Sequence, residues 1–409
     1  MPLRRRSLAL VPVTVLALVA AACGGSDDGG AAETTAVPAT TAAPTTVAPS
    51  TTAAPTTTLA PTTTLPALDD LTETGAYGVA RTTIQLDDQD RGRSFPVDIW
   101  YPIELETTGT PSRYEFLPQL GYDSTRALAD APVSGDGPFP LVVYSHGSGG
   151  VRYIAAWFTE VLASHGFVVA APDHPGNTAV ERFFGGGTPV EVTAVNRVGD
   201  VQAVIDEMAR RTATAGDPLE GTVDMDDVAV TGHSFGGFTA LASVSGFSNA
   251  VGSVEADERV DAVVVMAPAT GLLTDEQLQA VDVPVVVLGG TKDATTPIDP
   301  NSTRITAAAA GRPLLQADLL DAGHQSFSDV CSYIRLTETL PDAPAAIVDG
   351  IKAVGADGCG PGYMDDERAH DLSNTYAIAL LRSTLRGETQ YEAVLEAPAP
   401  DDAEVQLKR

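Results

Sequence analysis

Basic side chains are scarce in this sequence. Only 24 Lys and Arg face 54 Asp and Glu, a formal net charge of −30. A surface of that sign repels polyphosphate and anionic head groups, so nucleic acid is excluded as a partner and no basic face is left to bind a membrane. Cysteine is scarcer. Cys23, Cys331 and Cys359 are the only three, no Cys-x-x-Cys occurs, and the six histidines are scattered. That spacing gives a zinc site no support, and no metal or cofactor is expected. The apolar run Leu8–Val19 is too short and wrongly flanked to span a bilayer.

What the first residues do carry is an export pattern. Arg4, Arg5 and Arg6 precede the apolar run, and Ala20, Ala21 and Ala22 precede Cys23. Residues 1–23 therefore read as a signal peptide of lipoprotein type, with Cys23 the site of cleavage and lipidation. The protein is expected to be exported, either anchored in the cell envelope or secreted, with lipid at Cys23 as its membrane contact. Residues 24–68 are rich in Gly, Ala, Thr and Pro, with Ala-Pro-Thr-Thr at 43–46 and again at 54–57. Little there offsets the entropy of ordering, so the segment reads as a disordered tether. The remainder reads as one large domain over residues 69–395 and a loose acidic tail over 396–409.

Within the domain, short apolar runs alternate with stretches of helical period. That is the mark of a mostly parallel sheet covered on both faces. Strands are expected at 81–86, 95–101, 140–145, 167–171, 227–231, 262–267, 283–289 and 314–320. Helices are expected over about 153–164, 197–210 and 367–386. The fold class is α/β, a central sheet flanked by helices, with no large cap domain.

The densest chemistry lies at Gly232-His233-Ser234-Phe235-Gly236, between an expected strand and an expected helix. Gly-x-Ser-x-Gly in that context makes a turn so tight that glycine is needed two places either side of the serine. The turn lifts the hydroxyl above the sheet edge, and Ser234 is the candidate nucleophile. A hydroxyl needs a base. His324 follows the last core strand, on a loop at the same carboxyl edge, and is the candidate. His233 points off the turn, His146 precedes another glycine motif, His165 and His370 sit at helix ends, and His174 is placed on the pocket rim. Asp293, beyond the end of strand 283–289, is the candidate acid that orients the base, with Asp299 a weaker competitor. The chain order Ser, Asp, His agrees with that assignment. Two backbone N–H groups are needed to hold an oxyanion. One is that of Phe235, and the other comes from the loop Ser145-His146-Gly147-Ser148-Gly149-Gly150. The glycine spacing of that loop does not fit a phosphate-binding Gly-x-x-x-x-Gly-Lys.

At these residues the sequence resembles the α/β-hydrolases. More narrowly, it is similar to the bacterial group described as predicted dienelactone hydrolases. That group is related to platelet-activating-factor acetylhydrolase and, more distantly, to cutinase-like polyesterases. The likeness is carried by 95–102 (FPVDIWYP), 141–150 (LVVYSHGSGG), 166–178 (GFVVAAPDHPGNT), 232–237 (GHSFGG), 289–293 and 322–327. The resemblance implies an α/β-hydrolase fold, a small or lipid-like ester as substrate, and Ser148 N–H as the second oxyanion donor. Dienelactone hydrolases proper use a cysteine where this chain has Ser234. Mammalian-type acetylhydrolases place their acid on the strand after the nucleophile. Residues 263–267 hold no carboxylate there, which again favours Asp293. The expected activity is hydrolysis of carboxylic esters through an acyl-enzyme. Phospholipid acetylhydrolase, lipase and polyester hydrolase are alternatives within that chemistry. A binding lipoprotein without catalysis is the alternative outside it.

Two further expectations concern the surroundings of the site. In an exported chain the two remaining cysteines, Cys331 and Cys359, most simply pair. The link between strands 262–267 and 283–289 is too short for a lid. The insertion 173–195, with Phe183, Phe184 and three glycines, and the segment closed by the cysteines are the two that reach the site. They read as the rim of an open cleft.

Overall fold

Strands that are apolar on both faces are stable only between two layers of helix. The structure is a computed structural model that describes residues 69–72, 74–117, 120–340, 343–397 and 404–409. The expected signal peptide, the lipid site at Cys23 and the whole of the expected tether lie outside the described residues. In chain order, α1 (Asp69–Thr72) precedes β1 (Gly78–Asp88), β2 (Arg93–Ile103), β3 (Pro111–Leu117), β4 (Leu120–Ala129) and β5 (Phe139–Ser145). Then come α2 (Ala156–Ser164), β6 (Val168–Pro172), α3 (Ala179–Phe184), α4 (Val190–Thr212), β7 (Val223–His233) and α5 (Phe235–Ser245). A small pair, β8 (Phe247–Ser248) and β9 (Ser253–Val254), leads to β10 (Val260–Met266), α6 (Asp275–Gln279), β11 (Val285–Gly290), α7 (Ser302–Ala308) and β12 (Leu314–Leu319). The chain continues through α8 (Val330–Glu338), α9 (Ala345–Gly355), α10 (Asp366–Leu385), α11 (Glu392–Glu396) and β13 (Val405–Lys408).

Eleven strands form one sheet in the order β13-β12-β11-β10-β7-β5-β6-β2-β1-β4-β3. The six from β12 to β6 are mutually parallel. Every residue of β5, β6, β11 and β12 is buried. Alternate side chains feed two cores. Val142 and Tyr144 join α2 and α10 on one face, and Leu141 and Val143 join α4 and α5 on the other. This is the expected α/β architecture. Residues 268–284, between β10 and β11, hold only the five-residue α6 and no cap.

Three elements depart from the expectation. The hairpin of β3 and β4 has little apolar pattern to betray it: Ser112 and Tyr114 are buried, while Arg113 and Glu115 between and after them are exposed. Helix α4 begins at Val190, so much of the supposed rim loop is helical. The tail expected to be loose adds β13 antiparallel to β12. Val405 is 2% exposed, and Lys408 Nζ reaches Asp318 Oδ2 at 2.8 Å, so a buried valine and an ion pair fix the end of an otherwise polar segment.

Candidate active site

The site is built where parallel strands end. Strand β7 stops at His233, and α5 starts at Phe235, so Ser234 alone makes the turn between them, at φ 57° and ψ −116°. A non-glycine residue there is strained, and tight packing holds it. A Cβ on Gly236 would fall 1.8 Å from the Ser145 carbonyl oxygen, and one on Gly232 would fall 2.5 Å from the Gly236 backbone. The elbow therefore sits flush against the end of β5, which only glycine permits.

Loops after β11 and β12 bring up the partners. Ser234 Oγ lies 2.9 Å from His324 Nε2, and His324 Nδ1 lies 2.8 Å from Asp293 Oδ2. The Asp293 carboxylate is itself held. Thr295 N–H and Thr296 N–H donate to Oδ1 at 2.9 and 2.6 Å, and the Thr296 hydroxyl is 2.8 Å from Oδ2. Burial pushes the Asp293 carboxyl up, but the hydrogen bonds from His324 and Thr296 outweigh it and hold the group below the usual carboxylate range. Asp293 therefore stays charged beside the imidazole. Asp299 is exposed and makes no part of this array.

His233 is next to Ser234 yet faces away from its hydroxyl. Its Nε2 lies 3.0 Å from the His324 carbonyl oxygen, tying the elbow to the base loop. Burial, and the charge that His324 can carry beside it, bring His233 down to about 3, so it remains neutral.

Under the loop 145–150 lies a buried charged network. Arg197 is fully buried. Its guanidinium donates to the His146 carbonyl, to Ser145 Oγ at 3.0 Å and to Asn177 Oδ1 at 2.7 Å. Asn177 in turn donates from Nδ2 to Ser148 Oγ at 3.1 Å and accepts Gly149 N–H at 3.1 Å. Burial lowers Arg197 to about 9, against the pull of Asp200, so it is still a cation at neutral pH. His174 is not on the rim. It is fully buried, with Nε2 3.0 Å from Ser145 Oγ and Nδ1 3.0 Å from Asp200 Oδ2, because Asp200 and Arg197 on α4 offer it partners inside. Burial, with Arg197 adding, holds it down to about 4.

Ser234 and His324 line a cavity of about 520 Å³, bounded also by Gly147–Gly150, Thr295, Asp357 and Tyr363. Phe235 opens α5, and Ser148 lies on the cavity wall. Asp357 was not foreseen. Its carboxylate accepts Thr295 Oγ1, Thr295 N–H, Ala294 N–H and His324 N–H, and its carbonyl accepts Gln325 N–H. Cys359, two residues on, is bonded to Cys331. No sequence signal marks Asp357, Thr296 or Arg197. Asn177 sits in the GNT stretch that carried the family likeness. Among the described residues, no group of three or more His, Cys, Asp or Glu is arranged to hold a metal ion.

Comparison with known proteins agrees with this fold. Residues 111–186 match the family described as platelet-activating factor acetylhydrolase, isoform II. Platelet-activating factor acetylhydrolase of Cavia porcellus is 28% identical over 193 residues, 37% of this chain and 44% of that protein. Chlorophyllase type 0 of Chenopodium album is 25% identical over 187 residues, 44% of this chain and 48% of that one. The chain thus spans about half the length of the curated relatives it matches. A ferulic acid esterase from Streptomyces cinnamoneus superposes with a TM-score of 0.62 at 26% identity, over 81% of this chain and 97% of that one. A largely parallel sheet with a serine elbow, and likeness to a solved esterase over most of the chain, make this an α/β-hydrolase fold that is similar, over part of its length, to the platelet-activating-factor acetylhydrolases.

Proposed function

We propose that the protein is a serine hydrolase of carboxylic esters. The observation that carries this is the unbroken chain from Ser234 Oγ through His324 to Asp293, at 2.9 and 2.8 Å. His324 Nε2 takes the hydroxyl proton as Ser234 Oγ attacks the ester carbonyl. The N–H groups of Phe235 and Ser148 receive the oxyanion. Collapse breaks the C–O bond, and His324 returns the proton to the departing alcohol. Water, deprotonated by His324, then attacks the acyl-Ser234 ester; collapse breaks the acyl C–Oγ bond, His324 returns the proton to Ser234 Oγ, and the acid leaves. Asp293 keeps Nδ1 protonated and stabilises the imidazolium. A protein that only binds esters has no need of these three side chains in register.

The test is Ser234→Ala against p-nitrophenyl acetate. Loss of a nucleophile from such a unit typically costs about 10⁶ in kcat. A rate near wild type in a folded variant would reassign the nucleophile. Asp293→Ala should be severely impaired and Asp299→Ala close to wild type; the reverse order would move the acid.

The esterase domain is further read as exported, held by lipid at Cys23. Cys23→Ala should move the protein from the membrane fraction to the soluble one, and an unchanged distribution would refute the anchor.

A further inference from the structure

A second cavity, of about 320 Å³, leaves the catalytic one between α3 and α9. The two adjoin: Gly149, Gly150, Ile154, Val330 and Val354 line both. Its own walls are Val151, Val180, Phe183, Ile347 and Ile351. Val180 and Phe183 are 60% and 40% exposed, a costly place for apolar side chains unless something apolar meets them. Phe183 leans on α9 at Gly350, where even a Cβ would fall 2.6 Å from its Cε1. The two insertions therefore meet across the groove, and a chain leaving Ser234 along it runs beside that ring.

The charges in the lining are not offered to a ligand. Arg152 is paired with Asp173 at 2.8 Å and with Asp98 at 2.8 Å. Glu115 adds a further negative charge, which disfavours phosphate and carboxylate. Nothing in the groove answers an anionic head group, and most of its lining answers hydrocarbon.

We propose that this groove binds an unbranched alkyl chain of the ester, carried on either its acyl or its alcohol side. The inference rests on Ser234 being the nucleophile. Each methylene that becomes fully buried gains up to about fourfold in kcat/KM.

Two substrate series separate the sources. One is p-nitrophenyl esters from acetyl to octanoyl; the other is acetate esters of alkanols from ethanol to octanol. In the wild-type protein, kcat/KM climbs with length in one series, and that series names the side of the ester the groove holds. Ile351→Trp fills the groove, and Ile347→Asp makes it polar. Both positions are half-buried on α9, outside the lining of the catalytic cavity. In each variant the octanoyl-to-acetyl ratio, or its alkanol counterpart, should collapse toward one, with folding checked by thermal melting. A flat length dependence in both wild-type series would overturn the groove, as would a climb that survives both substitutions. No turnover of p-nitrophenyl acetate by the wild type would overturn the nucleophile instead.

Discussion

Asp357 accepts the Thr295 hydroxyl at 2.6 Å across 62 positions of sequence, and the same carboxylate accepts His324 N–H at 3.3 Å. One side chain therefore joins the loop that carries Asp293 to the loop that carries His324. Asp357 touches no reacting atom, so its role is to position. Asp357→Ala should lower kcat on p-nitrophenyl acetate by about tenfold to a hundredfold, the range that small misplacements of a catalytic group produce. KM should move less. Asp357→Asn, which keeps one acceptor, should fall between. Steady-state kinetics checks this, and an equal rise in KM with kcat intact would assign Asp357 to binding instead.

The segment that delivers Asp357 is closed by Cys331 and Cys359, at a sequence separation of 28. Closing a loop of this length contributes roughly 3–4 kcal/mol in the chain-entropy model. Cys331→Ala with Cys359→Ala should lower the melting temperature and also the rate, because the Asp357 clamp loosens with it. Thiol labelling of the folded, unreduced protein should modify neither cysteine. Labelling of both would refute the bond.

Acid should act on the molecule in two ways. Burial foremost brings His233 and His370 down to about 3 and His174 to about 4, and sets His146 well below its ordinary range. Unfolded imidazoles take up protons near pH 6.5, and these folded ones do not. Stability is therefore present in full above that pH and is lost progressively as pH falls toward the folded values. Each proton costs up to about 1.4 kcal/mol per pH unit. Melting temperatures recorded from pH 6.5 down to pH 5 should fall. Because these four rings stay neutral over this range, none of them should add a protonation step to the pH profile of activity, measured where the protein is still folded.

Asp329 has the opposite sign. It is buried at the start of α8, where its Oδ2 accepts Ala156 N–H at 2.8 Å. Burial, with Glu160 adding, pushes its carboxyl up to about 8. The folded state keeps a proton there that the unfolded chain releases near pH 4, so this contribution is full at low pH and is lost as pH rises toward 8. Asp329→Asn should lose less stability than the wild type between pH 6 and 8, as read by thermal melts.

The elbow, the triad and the parallel core were legible because each is carried by a local pattern: Gly-x-Ser-x-Gly, a carboxylate after one strand, a histidine after the next. What was not legible depends on long-range partners. His174 resembles a rim residue until α4 brings Asp200 and Arg197 beneath it. Residues 405–408 read as a loose polar tail, and only the edge of β12 gives Val405 and Lys408 something to pair with. The hairpin of β3 and β4 buries Tyr114 through hydrogen bonds with Trp100 and Glu160, partners that no sequence period reveals.

Ser234 is held at φ 57° and ψ −116°, a backbone shape that costs a serine about 1–3 kcal/mol and a glycine much less. Heat and function therefore select in opposite directions at this position. A population of variants screened only for survival at high temperature should accumulate Ser234→Gly, a protein that melts later and lacks the hydroxyl proposed as nucleophile. Serine in so unfavourable a turn sets the proposed chemistry against durability at a single position.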